Sequence, residues 1–263
     1  MEIIIQPTYK KLAEVAAKIV RDALLKKTDL VLGLATGSTP IGVYEALVRM
    51  HKTDGLDFSE VTTFNLDEYV GIPPNHPYSY HTFMETHLFN AINIPAENCH
   101  IPQSTTVGHE EFCEQYEAAI VDAGGIDIQV LGIGKDGHIG FNEPSSSLGS
   151  RTRIKTLTQS TLEANAPHFG STIDDVPKMA ITMGVGTIMD AKRCLLLASG
   201  ESKAGAIVNA VEGPITAEVP ASVLQMHPQT VVIIDEAAAS QLKRVDYYKQ
   251  VYANKQELLS QDY

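Results

Sequence analysis

The chain has 263 residues, of which 44% are hydrophobic and 20% are charged, as in an ordinary soluble globular protein. A chain of this length can bury a large apolar core that needs neither a metal ion nor disulfide bonds for stability. Acidic residues (32) outnumber lysine and arginine (20), and the net charge of −12 argues against a protein that binds nucleic acid.

The start of the sequence predicts a strand, a helix and a second strand. Residues 3–5 form a short apolar run. Apolar residues then recur in steps of three and four along residues 12–24, which predicts an amphipathic helix. Residues 30–34 are apolar on both faces, which is typical of a strand inside a parallel sheet.

A loop of small and hydroxyl-bearing residues, Ala-Thr-Gly-Ser-Thr-Pro at positions 35–40, follows this strand. Thr39 is predicted to be the N-cap of the next helix and Pro40 its first residue. Free backbone N–H groups and the positive end of a helix dipole meet at such a junction, which favours a phosphate site over a plain turn. The loop has neither the Gly-Lys-Ser/Thr of a P-loop nor a G-x-G-x-x-G pattern, so a nucleotide is not indicated.

A pair of acidic residues, Asp67 and Glu68, follows the next predicted strand at residues 61–66. Two neighbouring acids at a strand end are usually part of a solvated loop, and from these residues alone that interpretation is favoured. A proline-containing loop comes next, and residues 79–89 are predicted to form a helix.

Three further ionisable residues, Asp136, His138 and Glu143, lie close together in LGIGKDGHIGFNEP at positions 131–144. An apolar strand at residues 126–133 leads into this segment, and its glycines allow tight turns. The residues alone leave two interpretations open. One is a solvated turn of the Asp-Gly type, and the other is an acid–base site at the carboxyl end of a parallel strand.

The second half of the sequence continues the alternation of strands and helices. Strands are predicted at residues 180–183, 194–198 and 231–234, and the segment from Glu236 onward is predicted to be helical. Lys203 falls in the first turn of a helix, where a cation opposes the helix dipole unless it faces an anion.

This alternation predicts an α/β fold with three layers, a modified Rossmann-like arrangement in which helices cover both faces of a mainly parallel sheet. We expect one domain over residues 1–263, with a mobile lid within residues 145–185. Inside that segment, the alternating charges of Arg151, Arg153 and Lys155 predict one exposed face of a strand.

Six segments, which occur in order and span most of the chain, resemble the glucosamine-6-phosphate deaminase family. As a set they are highly specific, although each one by itself is not. They are LATGSTP (34–40), FNLDEYVG (64–71), SYHTFM (79–84), LGIGKDGHIGFNEP (131–144), SRTRIKTL (150–157) and SGESKA (199–204).

The resemblance implies conversion of glucosamine 6-phosphate and water to fructose 6-phosphate and ammonia, without a metal or organic cofactor. In this reaction an aldose–ketose isomerisation is joined to hydrolysis of a C–N bond. By position, Asp67 resembles the base that moves the C2 proton. His138 resembles the group that opens the sugar ring, with Asp136 and Glu143 as its partners. The phosphate ligands implied by the resemblance are Thr36, Gly37, Ser38, Thr39 and Lys203.

Some members of the family are hexamers that N-acetylglucosamine 6-phosphate activates, so the resemblance also allows a homo-oligomer. Ser146, Arg153 and Lys155 match the positions of that activator site. The sequence departs from the family pattern at residues 164–168, Ala-Asn-Ala-Pro-His. The family often has an arginine near this point, and His168 is the candidate to replace it.

Two other functions compete with this interpretation. A 6-phosphogluconolactonase would share the Gly-His loop, but Phe-Asn-Glu-Pro at 141–144 and Asn-Leu-Asp-Glu at 65–68 point away from it. A sugar-phosphate-sensing domain of a transcription regulator would need a DNA-binding segment, whereas the predicted sheet starts at residue 3.

The three cysteines form no C-x-x-C pair, and the sequence shows neither a signal peptide nor a membrane span. We therefore expect a cytoplasmic protein without a zinc site.

Overall fold

The chain alternates strands and helices in a computed structural model that describes residues 1–103, 108–170 and 172–261. The side chain of His168, the candidate to replace the family arginine, lies outside the described part. The described strands are β1 (Glu2–Gln6), β2 (Val31–Leu34), β3 (Thr62–Asn65), β4 (Asp67–Tyr69), β5 (Cys99–His100), β6 (Ile128–Leu131), β7 (Arg153–Thr156), β8 (Met179–Thr182), β9 (Cys194–Ala198) and β10 (Thr230–Asp235). The described α-helices are α1 (Tyr9–Leu24), α2 (Ser38–Asp54), α3 (Tyr80–His87), α4 (His109–Asp122), α5 (Gln159–Asn165), α6 (Val185–Met189), α7 (Ala204–Glu212) and α8 (Val245–Gln261).

The main sheet joins its strands in the order β1-β10-β9-β6-β2-β3-β5, and neighbouring strands are parallel throughout. Alternate residues of a strand enter two apolar clusters on opposite faces, so that Ile3 and Ile5 of β1 face one cluster and Ile4 the other. Helices α4 and α7 pack on the first face, and α1 and α2 pack on the second. The predicted three-layer α/β fold with a mainly parallel sheet is therefore confirmed.

The junction between β2 and α2 differs from the prediction in its helix cap. Helix α2 begins at Ser38, and its N-cap is Gly37, whose φ of 96° lies in the left-handed region. The prediction of Thr39 as N-cap and Pro40 as the first helical residue is therefore wrong. Because glycine adopts this φ without strain, the chain enters the helix earlier than the Thr-Pro pair indicates.

A second sheet, in the order β4-β8-β7, is antiparallel and has no counterpart in the sequence prediction. Leu66 joins the two sheets, because its N–H donates to Leu34 of β2 (2.9 Å) and its carbonyl oxygen accepts from the N–H of Met183 (2.7 Å). Strand β4 starts directly after this residue and buries Asp67 (7% exposed) and Glu68 (0% exposed). The interpretation of these acids as part of a solvated loop is therefore wrong.

Residues 145–185 contain β7, α5 and β8 and contribute to a third apolar cluster, in which Phe169 packs beside Tyr69 of β4. The predicted strand at 151–155 is confirmed as β7, but Arg153 does not simply face solvent. Its Nη1 donates to Oδ1 of Asn142 at 2.8 Å, so the strand is tied to the end of the predicted acid–base segment.

The C-terminal helix begins later than predicted. Residues 236–244 form turns, and α8 starts at Val245. The turn is fixed by Asp235 at the end of β10, because its carboxylate accepts from the N–H groups of Ala238 (2.8 Å) and Gly200 (3.0 Å). None of the helices within residues 1–103, 108–170 and 172–261 is long and apolar enough to cross a membrane.

Gly184 lies immediately before α6, where the backbone of Ser150 passes so closely that a Cβ would collide with its carbonyl group. Because this neighbour is backbone and cannot rotate away, we expect Gly184→Ala to lower the free energy of unfolding by about 2 kcal/mol. The measurement is the urea midpoint at unchanged m-value. Gly149→Ala is the matched control, since a Cβ there meets nothing within 4 Å. Equal midpoints for the two variants would contradict the predicted collision.

Candidate active site

A cavity of about 420 Å³ opens at the carboxyl edge of the main sheet, where α/β folds usually bind their ligands. Its walls come from residues 35–39 after β2, from residues 132–140 after β6 and from Lys203 after β9. Asp67 of β4, Tyr80 of α3, and Thr161 and Asn165 of α5 also line the cavity. The cavity thus collects groups that are far apart in the sequence.

The structure brings most of the predicted site residues to this cavity. Those that line it are Thr36, Gly37, Ser38, Thr39, Asp67, Asp136, His138 and Lys203. Glu143 is buried behind them (3% exposed) and contacts the imidazole of His138. The residues of the predicted activator site do not line the cavity in the described part of the chain. They are Ser146, Arg153 and Lys155.

The segment after β6 folds back so that His138 lies beside two carboxylates. Its Nδ1 is 2.7 Å from Oδ1 of Asp136 and 3.5 Å from Oε2 of Glu143. Gly137 has a φ of 87°, which turns the chain between Asp136 and His138. A Cβ at Gly134 would collide with the imidazole of His138. The ring can therefore pack against the backbone at this position because residue 134 is glycine.

The two carboxylates make His138 unusually basic. Burial of the imidazole lowers its pKa, but the contacts with Asp136 and Glu143 outweigh burial and raise the pKa to about 9. In return, the imidazole holds the pKa of Asp136 below its usual value. A protonated imidazolium is therefore favoured at neutral pH and can give a proton to a bound molecule. The donor atoms of these three side chains lie within 4.8 Å of one another, which is also close enough to hold a metal ion.

Asp67 supplies a second acid–base group from a different strand. Burial, followed by the negative charge of Glu68, raises its pKa to about 8, whereas His138 lowers it. A Cβ on Gly140 would lie 3.5 Å from Oδ2 of Asp67, so the segment after β6 passes directly beside this carboxylate. A carboxyl group with a pKa near neutrality can both take up and return a proton, which suits a general base.

Another part of the cavity suits an anion. Residues 36–39 lie at the start of α2, where backbone N–H groups lack helical partners and the helix dipole is positive. Lys203 lies on the same cavity and donates from Nζ to the carbonyl oxygen of Ile133 at 2.7 Å. Burial, and then the charge of Lys135, lower the pKa of Lys203. An anion bound between the lysines and the helix start would stabilise both positive charges.

Known proteins are similar to this chain over most of its length. Residues 6–233 match the family described as glucosamine-6-phosphate isomerases/6-phosphogluconolactonase. The chain belongs to this family. The glucosamine-6-phosphate deaminase of Shewanella woodyi is 51% identical over 260 residues, which is 99% of this chain and 98% of the relative. The glucosamine-6-phosphate deaminase 2 of Bacillus subtilis is 50% identical over 248 residues, which is 94% of this chain and 100% of the relative.

Solved structures of the family share the fold. A monomeric glucosamine-6-phosphate deaminase superimposes with a TM-score of 0.89 at 46% identity, over 92% of this chain and 100% of that chain. A 6-phosphogluconolactonase from Trypanosoma brucei superimposes with a TM-score of 0.73 at 18% identity, over 92% of this chain and 98% of that chain. At that identity the lactonase shows the common fold alone.

Three residues without a role predicted from the sequence, Tyr80, Thr161 and Lys135, line the cavity. Tyr80 of α3 lines the cavity together with Thr36 of the loop after β2. Thr161 of α5 donates its hydroxyl hydrogen to Oε1 of Glu143, and Lys135 lines the cavity. Tyr80 and Lys135 lie inside segments that carry the family resemblance, so these segments could have identified both as candidate site residues. Thr161 lies in a segment without a recognisable pattern, and nothing in the sequence pointed to it.

The predicted activator residues follow Glu143 in the sequence. Ser146 is 4% exposed, and its Oγ has no hydrogen-bond partner among the described residues. Arg153 is half-buried and held by Asn142, and Lys155 is half-buried on the same strand. Their role in binding an activator stays a prediction.

Removing one of the two carboxylates beside His138 tests the origin of its basicity. We expect Asp136→Asn to lower the pKa of His138 from about 9, because the imidazolium loses its nearest negative charge. The measurement is an NMR titration of the imidazole Cε1–H, assigned through its loss in His138→Gln. Asp174→Asn is the control, since Asp174 is fully exposed and pairs with Lys178. An unchanged titration of His138 in Asp136→Asn would contradict the assigned ion pair.

Proposed function

We propose that this protein is a glucosamine-6-phosphate deaminase, which converts glucosamine 6-phosphate and water to fructose 6-phosphate and ammonia. The observation that carries this proposal is one cavity that combines a proton donor at His138, a buried carboxyl group at Asp67 and an anion site at the start of α2. Relatives named as deaminases, about half identical over nearly the whole chain, support the same substrate. We assign the protein to amino-sugar breakdown on this basis.

The phosphate of the substrate binds at the anion site and orients the sugar. Residues 36–39 offer backbone N–H groups and hydroxyls, and Lys203 offers a positive charge. A cavity of about 420 Å³ lies in the range that encloses small ligands. Fixing the phosphate leaves the sugar few orientations, so that its first two carbons meet the acid–base groups.

Ring opening comes first, and His138 carries it. The imidazolium gives its proton to the ring oxygen, and the neutral imidazole takes the proton of the O1 hydroxyl, so the C1–O5 bond breaks and the C1 aldehyde forms. Asp136 and Glu143 stabilise the charged ring in both steps and fix its orientation.

Isomerisation and loss of ammonia then depend on Asp67. Its carboxylate removes the C2 proton while the imidazolium of His138 returns to O1 the proton it took in ring opening, which gives an enolamine, and Asp67 then delivers the C2 proton to C1. The resulting C2 iminium ion adds water and releases ammonia, and the ketone of fructose 6-phosphate remains. This hydrolytic end of the reaction breaks the C–N bond, although the proton transfer between C2 and C1 is an isomerisation. Neither step requires a metal or organic cofactor.

A mobile lid within residues 145–185 is proposed to cover this reaction. It carries Thr161 and Asn165, which line the cavity, and Thr161 also contacts Glu143. Movement of this segment would therefore admit substrate and reset the ring-opening group together. We place the whole of residues 1–263 in one catalytic domain.

Regulation and location are proposed from the family resemblance. Ser146, Arg153 and Lys155 are the proposed site for N-acetylglucosamine 6-phosphate in a homo-oligomer, although a similar solved deaminase is monomeric. Hyperbolic kinetics that do not respond to the acetylated sugar phosphate would remove this proposal. The free thiols of Cys99, Cys113 and Cys194 fit the reducing cytoplasm.

The deciding experiment is to incubate the protein with glucosamine 6-phosphate and to measure ammonia and fructose 6-phosphate. We expect both products in equal amounts, and hydrolysis of 6-phosphogluconolactone in place of deamination would favour the lactonase alternative.

Asp67→Asn should reduce kcat about 100-fold or more, because the C2 proton loses its base. Asp122→Asn, at an exposed position at the end of α4, is the control. Normal turnover by Asp67→Asn would refute the role of this residue.

Lys203→Met tests the anion site separately from the chemistry. We expect KM for glucosamine 6-phosphate to rise about tenfold or more, because a charge-assisted hydrogen bond to phosphate is lost. The same variant should turn over unphosphorylated glucosamine no worse than the wild type does. Lys18→Met on the exposed side of α1 serves as the matched control. A fall in kcat at unchanged KM would assign Lys203 to the chemical steps instead.

A further inference from the structure

Glu68 is a fully buried carboxylate that the proposed mechanism does not use. It follows Asp67 in β4, and because successive side chains of a strand point to opposite faces, it lies behind the cavity rather than in it. A buried carboxylate is costly unless hydrogen bonds compensate for the loss of water. Its surroundings should therefore show why it is retained.

The carboxylate of Glu68 accepts hydrogen bonds at the start of helix α3. Its Oε2 accepts from the N–H groups of Tyr80 (2.8 Å) and His81 (3.3 Å), and its Oε1 accepts from the N–H of Tyr69 (2.9 Å). Nδ1 of His81 lies 3.1 Å from Oε2, which suits the tautomer that carries its proton there. Because a carboxylate that accepts several hydrogen bonds at a positive helix end is stabilised as an anion, Glu68 keeps its charge in the interior.

This charge lies next to Asp67 along the chain. The negative charge of Glu68 acts in the same direction as burial and makes the carboxyl group of Asp67 harder to ionise, while His138 acts against them. The titratable groups that face these two acids from the packed elements are Tyr69 on β4, Tyr80 and His81 on α3, Tyr116 on α4 and His138 in the segment after β6. On β8, the residue paired with Asp67 is Thr182, which carries no charge.

We propose that Glu68 is a positioning residue whose ionised carboxylate keeps Asp67 a strong enough base to take the C2 proton and holds the start of α3, which carries Tyr80, against the cavity. This inference rests on the proposed function, since it concerns the base of that reaction. A hydrogen on the carbon next to an aldehyde is only weakly acidic, and a carboxylate of ordinary basicity would remove it slowly.

The test is the pH dependence of kcat/KM in Glu68→Gln. Glutamine keeps the shape of the side chain and one acceptor oxygen, but it removes the charge. In the wild type the acidic limb reports ionisation of Asp67 and should lie near pH 8. Without the neighbouring charge the limb should move to lower pH by about one unit, and the limiting kcat/KM between this limb and the alkaline limb of His138 should fall several-fold because the base is weaker. A limb that stays in place would overturn the proposal.

A second pair of variants tests the same charge without altering Glu68. His81 is 24% exposed, so it can be replaced with little risk to folding. His81→Lys should place a permanent positive charge beside Glu68 and shift the acidic limb in the same direction, whereas the neutral His81→Gln should leave the limb in place. Equal limbs in the two His81 variants would contradict an electrostatic role. Ser79→Ala, which removes the N-cap of α3, should lower stability without moving the limb.

A measurement that does not depend on turnover separates this inference from the proposed function. The side-chain carboxyl carbons of 13C-labelled aspartate are followed by NMR as the pH changes, and the signal lost in Asp67→Asn identifies Asp67. In Glu68→Gln this carboxyl should titrate at lower pH than in the wild type, and an unchanged titration would refute the inference. A wild-type protein without deaminase activity would refute the proposed function, whereas the titration would still decide the role of Glu68.

Discussion

The cost of removing carboxylates from water shapes this end of the molecule. Asp67, Glu68 and Glu143 are all buried at the carboxyl edge of the main sheet. Glu68 is compensated by N–H groups at the start of α3, and Glu143 by the hydroxyl of Thr161 and the imidazole of His138. Asp67 faces the cavity instead, and the raised pKa of its carboxyl group is the result. The three neighbouring buried acids thus differ in their partners, because two have hydrogen-bond or ion-pair partners behind the cavity and the third faces the cavity, where it can exchange a proton.

The switch from parallel to antiparallel pairing at Leu66 makes this separation possible. A parallel strand that ran on in the main sheet would carry Asp67 away from the segment after β6. Instead, Leu66 bonds to β2 on one side and to Met183, directly after β8, on the other, and β4 pairs with β8 so that Asp67 lines the cavity. Asp67 and His138 consequently line the same cavity, although they are 71 residues apart in the sequence. The second sheet is therefore part of the site as well as part of the fold.

The sequence predicted what depends on local pattern and missed what depends on tertiary neighbours. Buried strands such as β2 and β9 are continuous apolar runs, and the family segments identified the loops that follow them. Strand β4 has three residues, which is too short for a period of two to be visible. Glu68 was interpreted as solvated because its partners, the N–H groups of α3, are distant in sequence by more than a helical turn. The cap at Gly37 was missed because Thr-Pro is a strong local signal that a left-handed glycine overrides.

The distribution of charge over the cavity explains why an acidic protein can act on an anion. The net charge of −12 repels phosphate at long range, but exposed charges are screened within about 8 Å in physiological salt. Inside the cavity the start of α2 and the half-buried Lys203 present positive charge, whereas Asp136 presents negative charge beside the imidazole of His138. A phosphate group is therefore favoured at the start of α2 and Lys203 and disfavoured beside Asp136. The same charges that bind the substrate therefore also decide which carbon atoms reach the base.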